Sequence, residues 1–235
     1  MNFIIIWWDF EVNELLTDMK FHAEIIKSGL CRTNVAAVHR PSPSLFYYPG
    51  LSSRSIYPKT QFTNVSKVLQ DNYGVILSEY QNFKSKSKSD YHIQSDEHQL
   101  HNGNWEWYSY VLKGKRQTNF AVNCPQTTEI LESLNHPKLM IDIPFSYAFF
   151  STLGSQTTIK PHYGPCNLRV RCHFPLIVPS GDCGMKIGGT DVKWEVNEPI
   201  YFDDTYEHTG ISHIVISLPN IHTCSLHSSL SPCQL

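Results

Sequence analysis

"KPHYGPCNLRVRCHF", residues 160–174, sets two histidines and two arginines around a Gly-Pro turn. From Leu168 to Phe174, apolar residues alternate with Arg169, Arg171 and His173. Successive side chains of a strand point to opposite faces. A period of two therefore sends the three basic residues to one face and Leu168, Val170, Cys172 and Phe174 to the other. A sheet face with three basic groups, beside His162 at the preceding turn, calls for an anion, a metal, or both.

Outward from this stretch the strand pattern continues. After Leu139 the segments 139–151, 157–161, 167–178, 184–190, 192–196, 199–203 and 213–218 read as strands separated by turns. Upstream, apolar positions 65, 68, 69, 73, 76, 77 and 80 keep helical spacing despite Gly74. "WEWYSYVL" (105–112) alternates as a strand, and Pro125 opens a short helix within 124–134. Helices first and strands afterwards predict a mainly β chain with flanking helices, an α+β protein built on a β-sandwich or barrel.

The 235 residues suffice for one domain with appendages, and a formal charge of −2 argues against general nucleic-acid binding. The one basic cluster, "KSKSKS" (84–89), is interrupted by serines and followed by Asp90, as a solvated loop would be. Seven cysteines, an odd number without a CxxC pair, suit free thiols in a reducing compartment and predict a cytoplasmic protein. "MNFIIIWWDF" is apolar, but Asp9 and Glu11 end it far short of the ~20 residues that span a bilayer. It reads as a strand or docking segment, and no transmembrane helix is expected. "HRPSPS" (39–44) reads as a linker. In the polar stretch 82–104, His98 and His101 could share a helix face and bind metal, but a surface loop is the better reading.

A second histidine site lies in "PIYFDDTYEHTG" (199–210), where a buried-looking strand runs into an acidic turn that presents His208. Two distant histidines, each beside a strand end, are what a metal site on a β-scaffold needs. Neutral imidazoles suit iron, zinc or copper, and open coordination positions suit catalysis. The pair alone is weak evidence, because twelve histidines make chance pairs common.

The blocks "PHYGPCNLRVRCHFPLIVP" (161–179), "CGMKIGG" (183–189), Trp194 and "FDDTYEH" (202–208) together resemble the aspartyl/asparaginyl β-hydroxylase family. Weaker resemblance runs through "FAVNCPQTTEIL" (120–131) and "FYYPGL" (46–51). The resemblance implies a domain over 46–218, preceded by an N-terminal segment and linker (1–45) and followed by a divergent tail (219–235). It also implies a double-stranded β-helix, the cupin-like jelly roll, and an oxygenase that uses iron(II), 2-oxoglutarate and O₂ to hydroxylate Asp or Asn in a polypeptide. Animal members are often anchored in the endoplasmic reticulum, which is the alternative location if a targeting segment precedes this sequence.

Carried over by position, His162 and His208 become the iron ligands. Gly164 stands where a 2-His-1-carboxylate triad has its acid, and the family shows glycine there too. Arg171 and His173 become binders of the iron-chelating end of 2-oxoglutarate, with Ser151 at its distal carboxylate. Arg suits a carboxylate because its planar fork donates two parallel hydrogen bonds. Arg169 reads as a surface charge or structural salt bridge, and Asp203 and Asp204 as turn residues, one of which could orient His208. One departure stands out. The family's distal-carboxylate arginine follows the second histidine, yet no arginine follows Arg171 here. Aligned on "IVISL", its place falls at or near His213. Two other readings therefore stay open: a catalytically weak jelly-roll binding module, and an oxygenase acting on a lipid or small molecule.

Overall fold

The computed structural model describes residues 2–9 (backbone only), 38–48, 51–91, 100–134, 139, 141–179 and 183–212. In chain order, β1 (Asn2–Asp9) and β2 (Ile56–Tyr57) precede a 3₁₀ turn (Lys59–Phe62) and two helices, α1 (Thr63–Asp71) and α2 (Tyr73–Lys86). Then come β3 (His101–Asn102), β4 (Trp105–Leu112), β5 (Lys115–Arg116), α3 (Thr118–Asn123) and α4 (Pro125–Glu132). The second half holds β6 (Tyr147–Leu153), β7 (Thr158–His162), β8 (Arg169–Ile177) and β9 (Cys183–Ile187). It ends with β10 (Thr190–Lys193), β11 (Ile200–Phe202) and β12 (His208–Ser212).

The strands form two sheets, one ordered β2-β11-β8-β1-β6-β4-β5 and the other β10-β9-β12-β7-β3. The alternation in β8 decides the layering. Val170, Cys172 and Phe174 pack with Leu69, Ile76 and Tyr80 of the helices in one buried cluster. On the other face of the same sheet, Phe149, Leu153 and Phe202 pack against Met185 and Ile187 of the second sheet. The result is three layers: helices, the seven-stranded sheet and the five-stranded sheet. Fully burying side chains of this size contributes about 1.5–3 kcal/mol each.

Some boundaries differ from the sequence reading for local reasons. The helical stretch 65–80 is two helices, because Asn72 donates its Nδ2 to the Val68 carbonyl (2.8 Å) and competes with the backbone ladder. The strand expected from 139 begins only at Tyr147. Residues 141–146 form bends and turns instead, with Asp142 N–H on the Gly114 carbonyl and Gly114 N–H on that of Ser146. His208 lies within a strand, β12, where Thr209 and Gly210 hide the period-two pattern. His98 lies outside the described residues. His101 is buried in β3 rather than exposed in a loop, with its ring beside Tyr91 and Trp105. Lys84, the first residue of the basic cluster, ends up on α2 and pairs with Glu106 at 2.9 Å. Among the described residues, no helix is long and apolar enough to cross a membrane.

Helix α4 lacks a side-chain cap of its own, and Glu79 of α2 supplies one from outside. Its carboxylate accepts the N–H groups of Gln126 (3.0 Å) and Thr127 (2.7 Å) in a buried setting. The first N–H groups of a helix have no intrahelical partner, and a carboxylate there also meets the positive end of the helix dipole. Glu79→Ala should therefore cost about 2–3 kcal/mol and lower the melting temperature by about 4–12 °C. Glu79→Gln, which keeps one acceptor, should lose about half as much. Thermal melts of both variants check this, and an unchanged Ala variant would refute the capping role.

Candidate active site

A partly open cavity lies between the two sheets. Ser151 of β6, His162 of β7, Arg171 and His173 of β8, and His208 of β12 all line it. Trp105, Leu153, Ile159, Met185 and Trp194 supply apolar wall. Five of the six residues expected to form the site thus share one space, and the sixth, His213, lies outside the described residues.

His162 and His208 are register partners on adjacent antiparallel strands. Their ring centroids are 4.0 Å apart, with the planes tilted by 49°. His162 Nδ1 lies 2.8 Å from the Lys160 carbonyl, and His208 Nδ1 lies 3.0 Å from that of Tyr206. A carbonyl can only accept, so each Nδ1 carries the proton and each Nε2 keeps a lone pair. Burial depresses the pKa of both rings, and the nearby Arg171 guanidinium adds to it. The imidazoles are thereby kept neutral, as a metal requires.

His208 Nε2 is buried and, among the described residues, has no hydrogen-bond partner. A buried polar atom left so is costly, and a metal ion would satisfy it. The donor set fits a metal held by two imidazoles. Among the described residues, no group of three or more His, Cys, Asp and Glu side chains gathers at one point. Gly164 cannot offer a third ligand, because a Cβ there would sit 2.3 Å from the Asp204 Cγ.

Asp204 is the hub of the charged side. Its carboxylate binds Arg169 through Nε at 3.3 Å and Nη2 at 2.7 Å, and Arg171 Nη2 at 3.1 Å. Arg169 also donates to the Phe145 carbonyl. Burial alone would raise the Asp204 carboxyl, but the two guanidiniums override it and hold the group well below the usual carboxylate range. Arg171 is pulled down to about 9 by burial, against the pull of Asp204, and stays charged at neutral pH. Two cations and one anion leave a single net positive charge beside the histidine pair. Asp203 behaves differently: burial pushes it up to about 6, although Ser53 and Thr205 donate to it.

The stretch 39–44, read as a linker, braces both histidine turns together with Phe46 just after it. Ser42 N–H bonds to the Thr205 carbonyl (2.7 Å), Ser44 N–H to that of Gly164 (2.9 Å) and Phe46 N–H to that of Pro165 (2.8 Å). Trp105, which sequence reasoning left without a role, donates its Nε1 to Ser151 Oγ at 2.8 Å. The alternation of β4 could have shown that Trp105 shares a face with Trp107, but not that this face meets the cavity.

The sequence profile of the family described as Aspartyl/Asparaginyl beta-hydroxylase matches residues 70–213, more than half of the chain. The chain belongs to that family. Relatives agree. An aspartate beta-hydroxylase domain-containing protein 2 from Xenopus tropicalis is 28% identical over 192 residues, covering 81% of this chain and 50% of the relative. Its human namesake is 30% identical over 175 residues, 73% of this chain and 47% of the relative. Human aspartyl/asparaginyl beta-hydroxylase is 28% identical over 167 residues, 70% of this chain but 22% of that protein. The chain thus spans about half the length of the first two relatives, and the matched region contains both histidines and the Arg169–Asp204–Arg171 cluster.

Proposed function

We propose that this chain is an iron(II)- and 2-oxoglutarate-dependent dioxygenase that hydroxylates the β-carbon of aspartyl or asparaginyl residues in a polypeptide. The observation that carries this reading is the His162–His208 pair. Its carbonyl-anchored, neutral imidazoles present the buried, unpartnered Nε2 of His208 beside a net positive charge. Iron(II), when bound, would supply O₂ activation coupled to loss of CO₂ from the 2-oxo acid, with one oxygen atom going to succinate and the other to the substrate C–H bond. The protein does the rest. Arg171 offers the acid a charge-assisted, forked contact and His173 flanks it. Trp105, Trp194 and Met185 supply apolar wall, and lowering the water content beside the charged groups strengthens polar contacts there.

The strand order supports a double-stranded β-helix. From β6 to β12 the chain passes between the sheets, with β6, β8 and β11 in one and β7, β9, β10 and β12 in the other. The family's name and that of human aspartyl/asparaginyl beta-hydroxylase support the peptidyl substrate. Iron-loaded protein should form succinate from 2-oxoglutarate, and peptides carrying Asp or Asn should stimulate it while gaining one oxygen atom by mass. Turnover that responds only to lipids or small molecules would overturn the substrate. A second reading, a weak binding module, is favoured by Arg171 being the one guanidinium among the described residues that line the cavity, and an absence of succinate with every additive would select it.

A further inference from the structure

The cavity has a charged end and an end without charge, and the two differ by more than distance. Arg171 and His173 sit on β8 beside the histidine pair, whereas Ser151 sits on β6 with β1 in between. Two strand spacings put the ends roughly 9–10 Å apart. Around Ser151 the wall is Trp105 and Leu153, and the Ser151 hydroxyl oxygen already accepts the Trp105 indole N–H. What remains for a ligand there is one neutral O–H donor.

Among the described residues, none that lines this end carries a positive charge. Among the described residues, Arg171 is the one lysine or arginine that lines the cavity. The intervening strand β1 has Phe3 in register with Ser151, Ile5 with His173 and Trp7 with Arg171. None of its eight residues is basic.

We infer that the cavity binds 2-oxo acids by their 2-oxo-carboxylate end alone and has no ionic grip for a second carboxylate, so that monocarboxylic 2-oxo acids with neutral tails are ligands of the same site. The inference rests on the oxygenase reading above and narrows it. A carboxylate moved against Trp105 and Leu153 exchanges water for one neutral hydrogen bond, which does not compensate a desolvated charge. An ester or branched alkyl tail meets the same walls without that loss.

Anaerobic calorimetric titration of the Mn(II)-loaded protein tests this with three probes: 2-oxoglutarate, its 5-methyl ester and 4-methyl-2-oxopentanoate. The three dissociation constants should fall within about tenfold of one another, and each probe should displace the others. A site with a built polar grip rejects an analogue lacking the gripped group by about 10⁴-fold. A preference of more than tenfold for 2-oxoglutarate, or binding without mutual displacement, overturns the inference and leaves the oxygenase reading intact. Failure of all three to bind overturns both.

Discussion

Replacing His208 with alanine should abolish stoichiometric iron(II) binding while the protein stays folded. The site offers two imidazoles and, among the described residues, no third protein ligand, so each histidine carries about half of the protein's share. Structural zinc sites with four ligands are worth about 10–16 kcal/mol, which puts one ligand at about 3–4 kcal/mol, or two to three orders of magnitude in affinity. The fold does not depend on the metal, because the buried clusters on both faces of the seven-stranded sheet are apolar. Pairing of β12 with β7 and β9 runs through backbone groups that alanine keeps. Metal content after anaerobic reconstitution, read beside a thermal melt, checks both halves of the claim. Tight, stoichiometric iron in the variant would show that other groups hold the metal.

What could be read in the sequence was what repeats locally. The alternation of β8 separated Val170, Cys172 and Phe174 from Arg169, Arg171 and His173, since the pleat of a strand fixes sidedness without reference to a partner. The pairing of His162 with His208 has no such local sign. Nothing between Pro199 and Gly210 alternates, and β12 is a strand because β7 and β9 hold it on both sides. Family resemblance supplied those two positions, along with Ser151.

Asp204 shows why the remainder was hidden. Two adjacent aspartates read as turn residues, one of which could orient His208, and nothing in the sequence shows that both are almost fully buried. The cations that make burial of Asp204 tolerable come from a different strand, Arg169 being thirty-five positions away. A buried carboxylate is legible only when its partner is known, and that partner is set by tertiary packing. The same holds for the segment 39–44, whose Pro- and Ser-rich composition suggested a linker, and for Phe46 just after it. Their bonds to Gly164, Pro165 and Thr205 depend on where two distant turns come together.

That buried hub supports the second large effect. Asp204→Ala should destabilise the protein by about 3–5 kcal/mol, because it leaves Arg169 and Arg171 adjacent and desolvated with no anion between them. The corresponding fall in melting temperature is about 6–20 °C. Asp204→Asn removes the charge but keeps one acceptor oxygen, and should fall between the Ala variant and the wild type. The pH dependence separates charge from packing. The Asp204 carboxyl is held below its ordinary range in the folded state, so its stabilisation is complete above about pH 4, the unfolded value. It is lost as pH falls further, through the folded value. The gap between wild type and Asp204→Asn should therefore be constant from neutral pH to about pH 4 and should shrink below it. A gap that stays constant as the solution is acidified would mean that shape, and not the two guanidiniums, sets the cost of replacing Asp204.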